Sequence, residues 1–246
     1  KLEASLELAS AIQRDLMPDL PESSRGYQLG GFFRPAERAG GDFYDVVPLK
    51  KDRLAFVVGD VSGHGIGPAL ITASAQAGLR SYLRMVDDLG QVVTLLNQDL
   101  SERIDDGRFL TLLLGILEAD GSLRVVNGGH VDPMIWRASS GEVETLTGGG
   151  PALGMIDDFD YEVSGQAKLE PGDVLVVFTD GFSEARDPKD HAHMLGEDGV
   201  AAELKAAAAE GLGAREITGR LVKVALEICR DLREDDMTLI VLRNPS

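Results

Sequence analysis

Cysteine is almost missing: Cys229 is the single one in 246 residues. One thiol closes no disulfide framework and builds no multi-cysteine zinc site, and it suits a reducing compartment, so a cytoplasmic protein is expected. Long apolar runs are missing too. None approaches the ~20 residues a membrane-spanning helix needs, and membrane insertion is not expected. Basic residues are in short supply: 24 Lys and Arg stand against 41 Asp and Glu, a net charge of −17. That imbalance repels phosphodiester backbones and anionic lipid, which argues against nucleic-acid binding. What is present is a hydrophobic fraction of 43%, too high for a disordered chain and enough for a real core. The acidity itself has a bland reading, solubility, and a sharper one, carboxylates gathered to hold divalent cations.

The opening stretch KLEASLELASAIQRDLM reads as a helix, with Leu2, Leu6, Ala9, Ile12 and Leu16 at three- or four-residue steps until Pro18 and Pro21 stop it. The sequence begins at Lys1 without an initiator Met, as a fragment or processed product would. A connector helix entering from an upstream segment and a helix packed on its own domain both suit it. Beyond Tyr27, short apolar runs with turn signals between them predict strands in RLAFVVGD (53–60), FLTLLLGIL (109–117), SLRVVN (122–127), DVLVVFTD (173–180) and MTLIVL (237–242). Helices are predicted at 66–86, 89–104, 199–211 and 214–232. Strands come in runs and helices in pairs, which predicts an α+β layered sandwich with antiparallel sheets rather than a doubly wound parallel sheet. The simplest division is a linker helix over 1–21 and one domain over 22–246.

The informative feature is where the carboxylates fall. Asp60 ends one apolar run and opens the glycine-rich VSGHGIG; Asp180 ends another and precedes Gly181. Asp42 and Asp45 sit in AGGDFYD, and Asp235 and Asp236 immediately precede the last predicted strand. An Asp after a strand commonly caps a turn, which suffices for any one of them. Four such places suggest a shared rim. Clustered carboxylates repel unless cations or protons compensate, and hard cations such as Mg²⁺ and Mn²⁺ take oxygen ligands. Periodicity alone does not bring these places together.

The motifs AGGDFYD (39–45), GDVSGHGIGPAL (59–70), FTDGFSEARD (178–187) and EDDMTLIVLR (234–243), in this order, resemble the bacterial stage-II-sporulation type of the PPM, or 2C-like, metal-dependent serine/threonine phosphatases. LMPDLP resembles the linker helix joining such phosphatases to upstream sensory or receiver domains. The resemblance implies an αββα sandwich, two antiparallel sheets flanked by helices, with two Mn²⁺ or Mg²⁺ ions at one edge. Carried over, Asp60 bridges both ions and the Val61 carbonyl contacts one of them. Asp42 serves that same ion directly or through water. Asp180 and Asp235 complete the other ion's shell, with Asp236 the less favoured alternative. Catalysis would then rest on Asp60, Asp42 and Asp180, with water activated by paired cations attacking phosphorus in line. The implied substrate is phosphoserine or phosphothreonine of an anti-anti-sigma (STAS-type) protein in a partner-switching pathway. The helix at 1–17 is expected to pair with itself in a homodimer.

Other residues invite less. His64 lies four residues after Asp60, whereas eukaryotic relatives carry their histidine two after the bridging Asp, so a turn role is expected. Arg38 is a candidate phosphate ligand beside Arg34, with a surface salt bridge as the plain alternative. His191 and His193 form an H-x-H suited to a transition metal or, more simply, to a solvated flap. Cys229 and Trp136 are expected in the core. Three rival functions remain: a diguanylate cyclase, on the likeness of GGDFYD to GGDEF; an ATPase of the histidine-kinase type; and a degenerate phosphatase that only binds a phosphoprotein.

Overall fold

Two strands in the middle of the chain are so apolar that their exceptions stand out. In β4 (Leu54–Val61) every residue but Asp60 is buried, and in β5 (Leu110–Leu117) every residue but Thr111. Those two exceptions are direct cross-strand partners. Strands apolar on both sides must be covered on both sides, and the computed structural model shows how. It describes residues 11, 13, 15–37, 39–63, 65–102 and 107–245.

One antiparallel sheet has the order β3 (Asp42–Pro48), β4, β5, β6 (Ser122–Gly128) and β9 (Gly165–Lys168). The other runs β1 (Ser23–Ser24), β2 (Tyr27–Arg34), β13 (Met237–Arg243), β10 (Val174–Phe178), β7 (Met134–Trp136) and β8 (Val143–Thr145). Period-two alternation sorts their side chains. Leu54, Phe56 and Val58 meet Leu175, Val177, Ile240 and Leu242 between the sheets. Ala55 and Val57 face the other way, onto helices α1 (Ile66–Met85) and α2 (Leu89–Ser101). Val174, Val176, Leu239 and Val241 pack beneath α4 (Gly196–Ala209) and α5 (Ala214–Ile228), while α3 (Asp180–Ser183) is a single turn after β10. The result is the expected αββα sandwich.

All five predicted strands form, as does a hairpin of β7 and β8 through DPMIWRASSGEVETL. Of the longer strands, β2 and β3 are additional to those predicted. The helix expected over 214–232 ends at Ile228, because Arg230 and Asp231 turn left-handed at φ 49° and 62°. The helix expected over 199–211 lies at Gly196–Ala209. Cys229 and Trp136 are buried as expected. Of the expected N-terminal helix, Ala11, Gln13, Asp15 and Leu16 are helical, and its residues 1–10, 12 and 14 lie outside the described residues, as do Arg38, His64 and Ile104. No helix among the described residues is long and apolar enough to cross a membrane.

Candidate metal centre

The sandwich brings the remote acidic motifs to one rim. Asp42 opens β3 and is the cross-strand partner of Asp60 near the end of β4. From the opposite sheet, Asp180 follows β10, and Asp235 and Asp236 lead into β13, the strand paired with β10. A hydroxyl links the two sheets at this point: Thr179 Oγ1 donates to Asp42 Oδ2 at 2.7 Å and itself accepts from the Thr238 amide at 3.1 Å.

Mutual repulsion is visible in the ionisation of the group. Burial, then the neighbouring charges of Asp60 and Asp236, holds the Asp42 carboxyl well above the usual carboxylate range. Asp60 is pushed up to about 7 by burial and by Asp180, Asp235 and Asp236. Asp180 is raised by burial, Asp235 and Glu184, and Asp236 chiefly by burial. Among the described residues, no lysine or arginine forms an ion pair with any of the five. Nor, among them, is any trio of acidic or histidine side chains closed tightly enough to hold an ion as it stands. Carboxylates lacking a counter-ion disfavour one another's charged form, and Asp42 and Asp60 come close enough to share a side-chain hydrogen bond.

The backbone beside them is shaped for close approach. A Cβ on Gly41 would lie 2.1 Å from the Val61 carbonyl oxygen and 3.1 Å from Asp60 Oδ1. A Cβ on Gly40 would lie 1.7 Å from Asp236 Oδ2. The Gly-Gly pair is therefore a steric requirement of the turn. All the donors here are oxygens, the set that suits a hard divalent cation. Asp42, Asp60, Asp180, Asp235 and the Val61 carbonyl are the groups that could hold one. Asp236 is already occupied. Buried, it accepts from the amides of Ala36 at 2.8 Å and Asp42 at 3.4 Å, whereas Asp235 is exposed and accepts from the Asp236 amide at 2.8 Å.

Asp45 does not join the rim. Three residues from Asp42 on a strand, it points to the opposite face, where Arg80 of α1 grips both its oxygens at 2.5 and 2.9 Å. Arg34 forms a surface ion pair with Asp231 at 3.1 Å. His191 and His193 lie on β12 (Asp190–Met194), exposed throughout, in a two-stranded flap with β11 (Arg186–Asp187). Sequence reasoning passed over Thr179, although it stands beside Asp180 in the motif. It also passed over Thr72, which donates to the Gly41 carbonyl at 2.8 Å, and over buried His130, whose Nδ1 lies 2.9 Å from Thr111 Oγ1.

A family model described as Stage II sporulation protein E (SpoIIE) matches residues 50–245. The chain belongs to the SpoIIE family. Phosphoserine phosphatase RsbU of Bacillus subtilis (strain 168) is 25% identical to this SpoIIE-family domain over 245 residues, 99% of this chain and 71% of RsbU. Protein IcfG of Synechocystis is 29% identical over 212 residues, 74% of this chain and 33% of IcfG. The chain thus spans a third of that relative's length, and 45% of phosphoserine phosphatase RsbP of Bacillus subtilis. The SiaA-PP2C domain of Pseudomonas aeruginosa superposes with a TM-score of 0.83 at 23% identity, over 98% of this chain and 96% of that one. The PP2C phosphatase domain of SpoIIE from Bacillus subtilis, solved with a fragment of its regulatory domain, gives 0.75 at 24% identity, over 89% and 64%. These likenesses make the fold that of a SpoIIE-family PP2C-type phosphatase domain.

Proposed function

We propose that the domain hydrolyses phosphoserine or phosphothreonine on a protein, with two Mn²⁺ or Mg²⁺ ions held at the carboxylate rim. The observation that carries this reading is the meeting of acidic groups from two opposed sheets with no described basic side chain between them. Asp60 would hold both ions, the Val61 carbonyl and Asp42 the first, and Asp180 and Asp235 the second. Asp236 positions, through the Ala36 and Asp42 amides it already binds. Bound there, the cations supply an activated water near neutral pH and offset negative charge on the transferring phosphoryl group. Thr179 pins one oxygen of Asp42.

The substrate class is an anti-anti-sigma protein of STAS type in a partner-switching pathway, and the setting is cytoplasmic. The match to phosphoserine phosphatase RsbU along 99% of this chain supports it. Residues 1–21 then serve as the linker to an upstream sensory or receiver domain, with a homodimer formed through that helix.

The test is Mn²⁺-dependent phosphate release from an aryl phosphate, then from a panel of phosphorylated STAS domains. Asp60→Asn and Asp180→Asn should each lower the rate by about a hundredfold or more, the scale on which metal shells respond to lost partners. Equal rates in all three proteins, or release that ignores the metal, would overturn the reading.

A further inference from the structure

The turn that carries Asp42 is held from an unexpected side. Gln13, far off in sequence and buried at 3% exposure, donates through Nε2 to the Gly40 carbonyl at 2.8 Å and accepts through Oε1 from the Gly40 amide at 3.0 Å. Its Nε2 also reaches the Asp42 carbonyl, at 3.5 Å. Only this orientation of the side-chain amide satisfies both groups of Gly40, since a flipped one would set donor against donor and oxygen against oxygen. On its other edge the same turn is fixed by Asp236, through the Ala36 and Asp42 amides. The adjoining carbonyls are pinned by Val61 N and Thr72 on Gly41, and by Gly65 N on Ala39.

Gln13 therefore closes a ring of contacts around a turn that has no side chain of its own to hold it. Glycine at 40 and 41 permits the close packing of Asp236 and the Val61 carbonyl, but it also leaves the backbone free to wander unless it is gripped from outside. An amide pair on a buried backbone unit is an efficient grip, because releasing it strands a donor and an acceptor away from water.

We infer that Gln13 is a positioning residue for the metal centre: by clamping Gly40 it holds Asp42 and the Val61 carbonyl in register with Asp60, and so sets the affinity for divalent cation. This rests on the reading of the rim as a metal site. Gln13 touches no ion and no substrate; it acts through the backbone of Gly40 to Asp42.

Direct Mn²⁺ binding, followed by the loss of the free-ion electron paramagnetic resonance signal, tests it without any assay of turnover. Gln13→Ala should weaken binding by about ten- to a hundredfold, the scale of lost outer-shell support. Gln13→Glu keeps the shape and sets a carboxylate oxygen against the Gly40 carbonyl; it should weaken binding equally, and it carries the test if the alanine variant does not fold. Arg215→Ala is the control, since Arg215 anchors the same segment through the Leu20 carbonyl at 2.9 Å without touching the turn. It should leave the affinity within about twofold, the size of a surface effect. Hydrogen exchange should quicken in peptides covering 36–42 of both Gln13 variants and stay unchanged in β4 and β5.

Wild-type affinity in both Gln13 variants overturns the inference, as does an equal loss in Arg215→Ala, which would make the effect one of general loosening. If the wild-type chain takes up no Mn²⁺ at all, the metal reading itself falls and the inference falls with it, an outcome distinct from the other two.

Discussion

Two sets of buried carboxylates sit in this molecule and are treated in opposite ways. Asp45 and Asp173, each with 2% of its side chain exposed, have guanidinium partners: Arg80 on Asp45 at 2.5 Å and Arg137 on Asp173 at 2.8 Å. Asp173 also accepts from the amides of Ala138 and Glu170. Asp42 and Asp236 lie as deep or nearly so and Asp60 is half-buried, yet among the described residues the charges that act on them are further carboxylates. Among the described residues, arginine meets the two paired acids and none of the cluster, which is the pattern the proposed cation site requires. The unpaired cluster costs stability, as functional sites commonly do.

The comparison breaks most visibly at Asp60. Its carboxyl is raised from an ordinary 3.8 to about 7, so in the metal-free protein its contribution is intact below pH 3.8 and lost as pH rises through 7. Above that point the penalty is at most about 4 kcal/mol. Asp60→Asn should therefore melt later than wild type in EDTA at pH 8, with the gap closing toward pH 4. Mn²⁺ well beyond a thousand times its dissociation constant should reverse the order, because a ligand there adds more than about 4.1 kcal/mol to the protein that binds it. Urea titrations in EDTA and in Mn²⁺ check both signs. A variant less stable than wild type in EDTA would mean that the cluster is not strained.

At the paired set the sign inverts. Arg137→Met leaves Asp173 buried without its counter-ion and should cost about 3 kcal/mol, with or without metal, the lower end of the range for a broken buried pair. A neutral result would show that the backbone amides of Ala138 and Glu170 suffice for Asp173, and the contrast with Asp60 would then be one of amides rather than of charge.

The layers were legible in the sequence because apolar runs such as Val174–Phe178 and Met237–Leu242 carry their own signal. Strand β3 was not, since Asp42, Tyr44 and Asp45 interrupt its apolar residues. The rim was legible in part. Asp60 and Asp180 stand out as charges ending apolar runs, but nothing local says that strands from separate sheets end side by side, and the motif resemblance had to supply that. Asp45 looked like Asp42 because the pair share a motif; strand geometry separates them, since an odd offset changes face. Gln13, Thr72 and His130 are single polar residues within helix or strand neighbourhoods, and their partners are backbone or side-chain groups set only by the tertiary fold.

His130 offers the finest test, because burial acts on it by the same physics with the opposite sign. Desolvation opposes its charged form and lowers it from an ordinary 6.5 to about 4, so the ring stays neutral beside Thr111 Oγ1 while the unfolded chain is free to take a proton. Its contribution is complete above pH 6.5 and is lost as pH falls toward 4, the reverse of Asp60 across nearly the same interval. The two slopes offset each other in the wild-type chain, so a flat pH profile there would not mean that neither group is shifted. Asp42, Asp180 and Asp236 keep their own slopes in Asp60→Asn, so the His130 contribution is read against the double variant with His130→Gln, relative to which Asp60→Asn should lose about 2 kcal/mol in EDTA as pH drops from about 6.5 to about 5. Should the two variants keep the same slope, the proton taken up on unfolding belongs to another group, and burial alone would not account for the charge states at this rim.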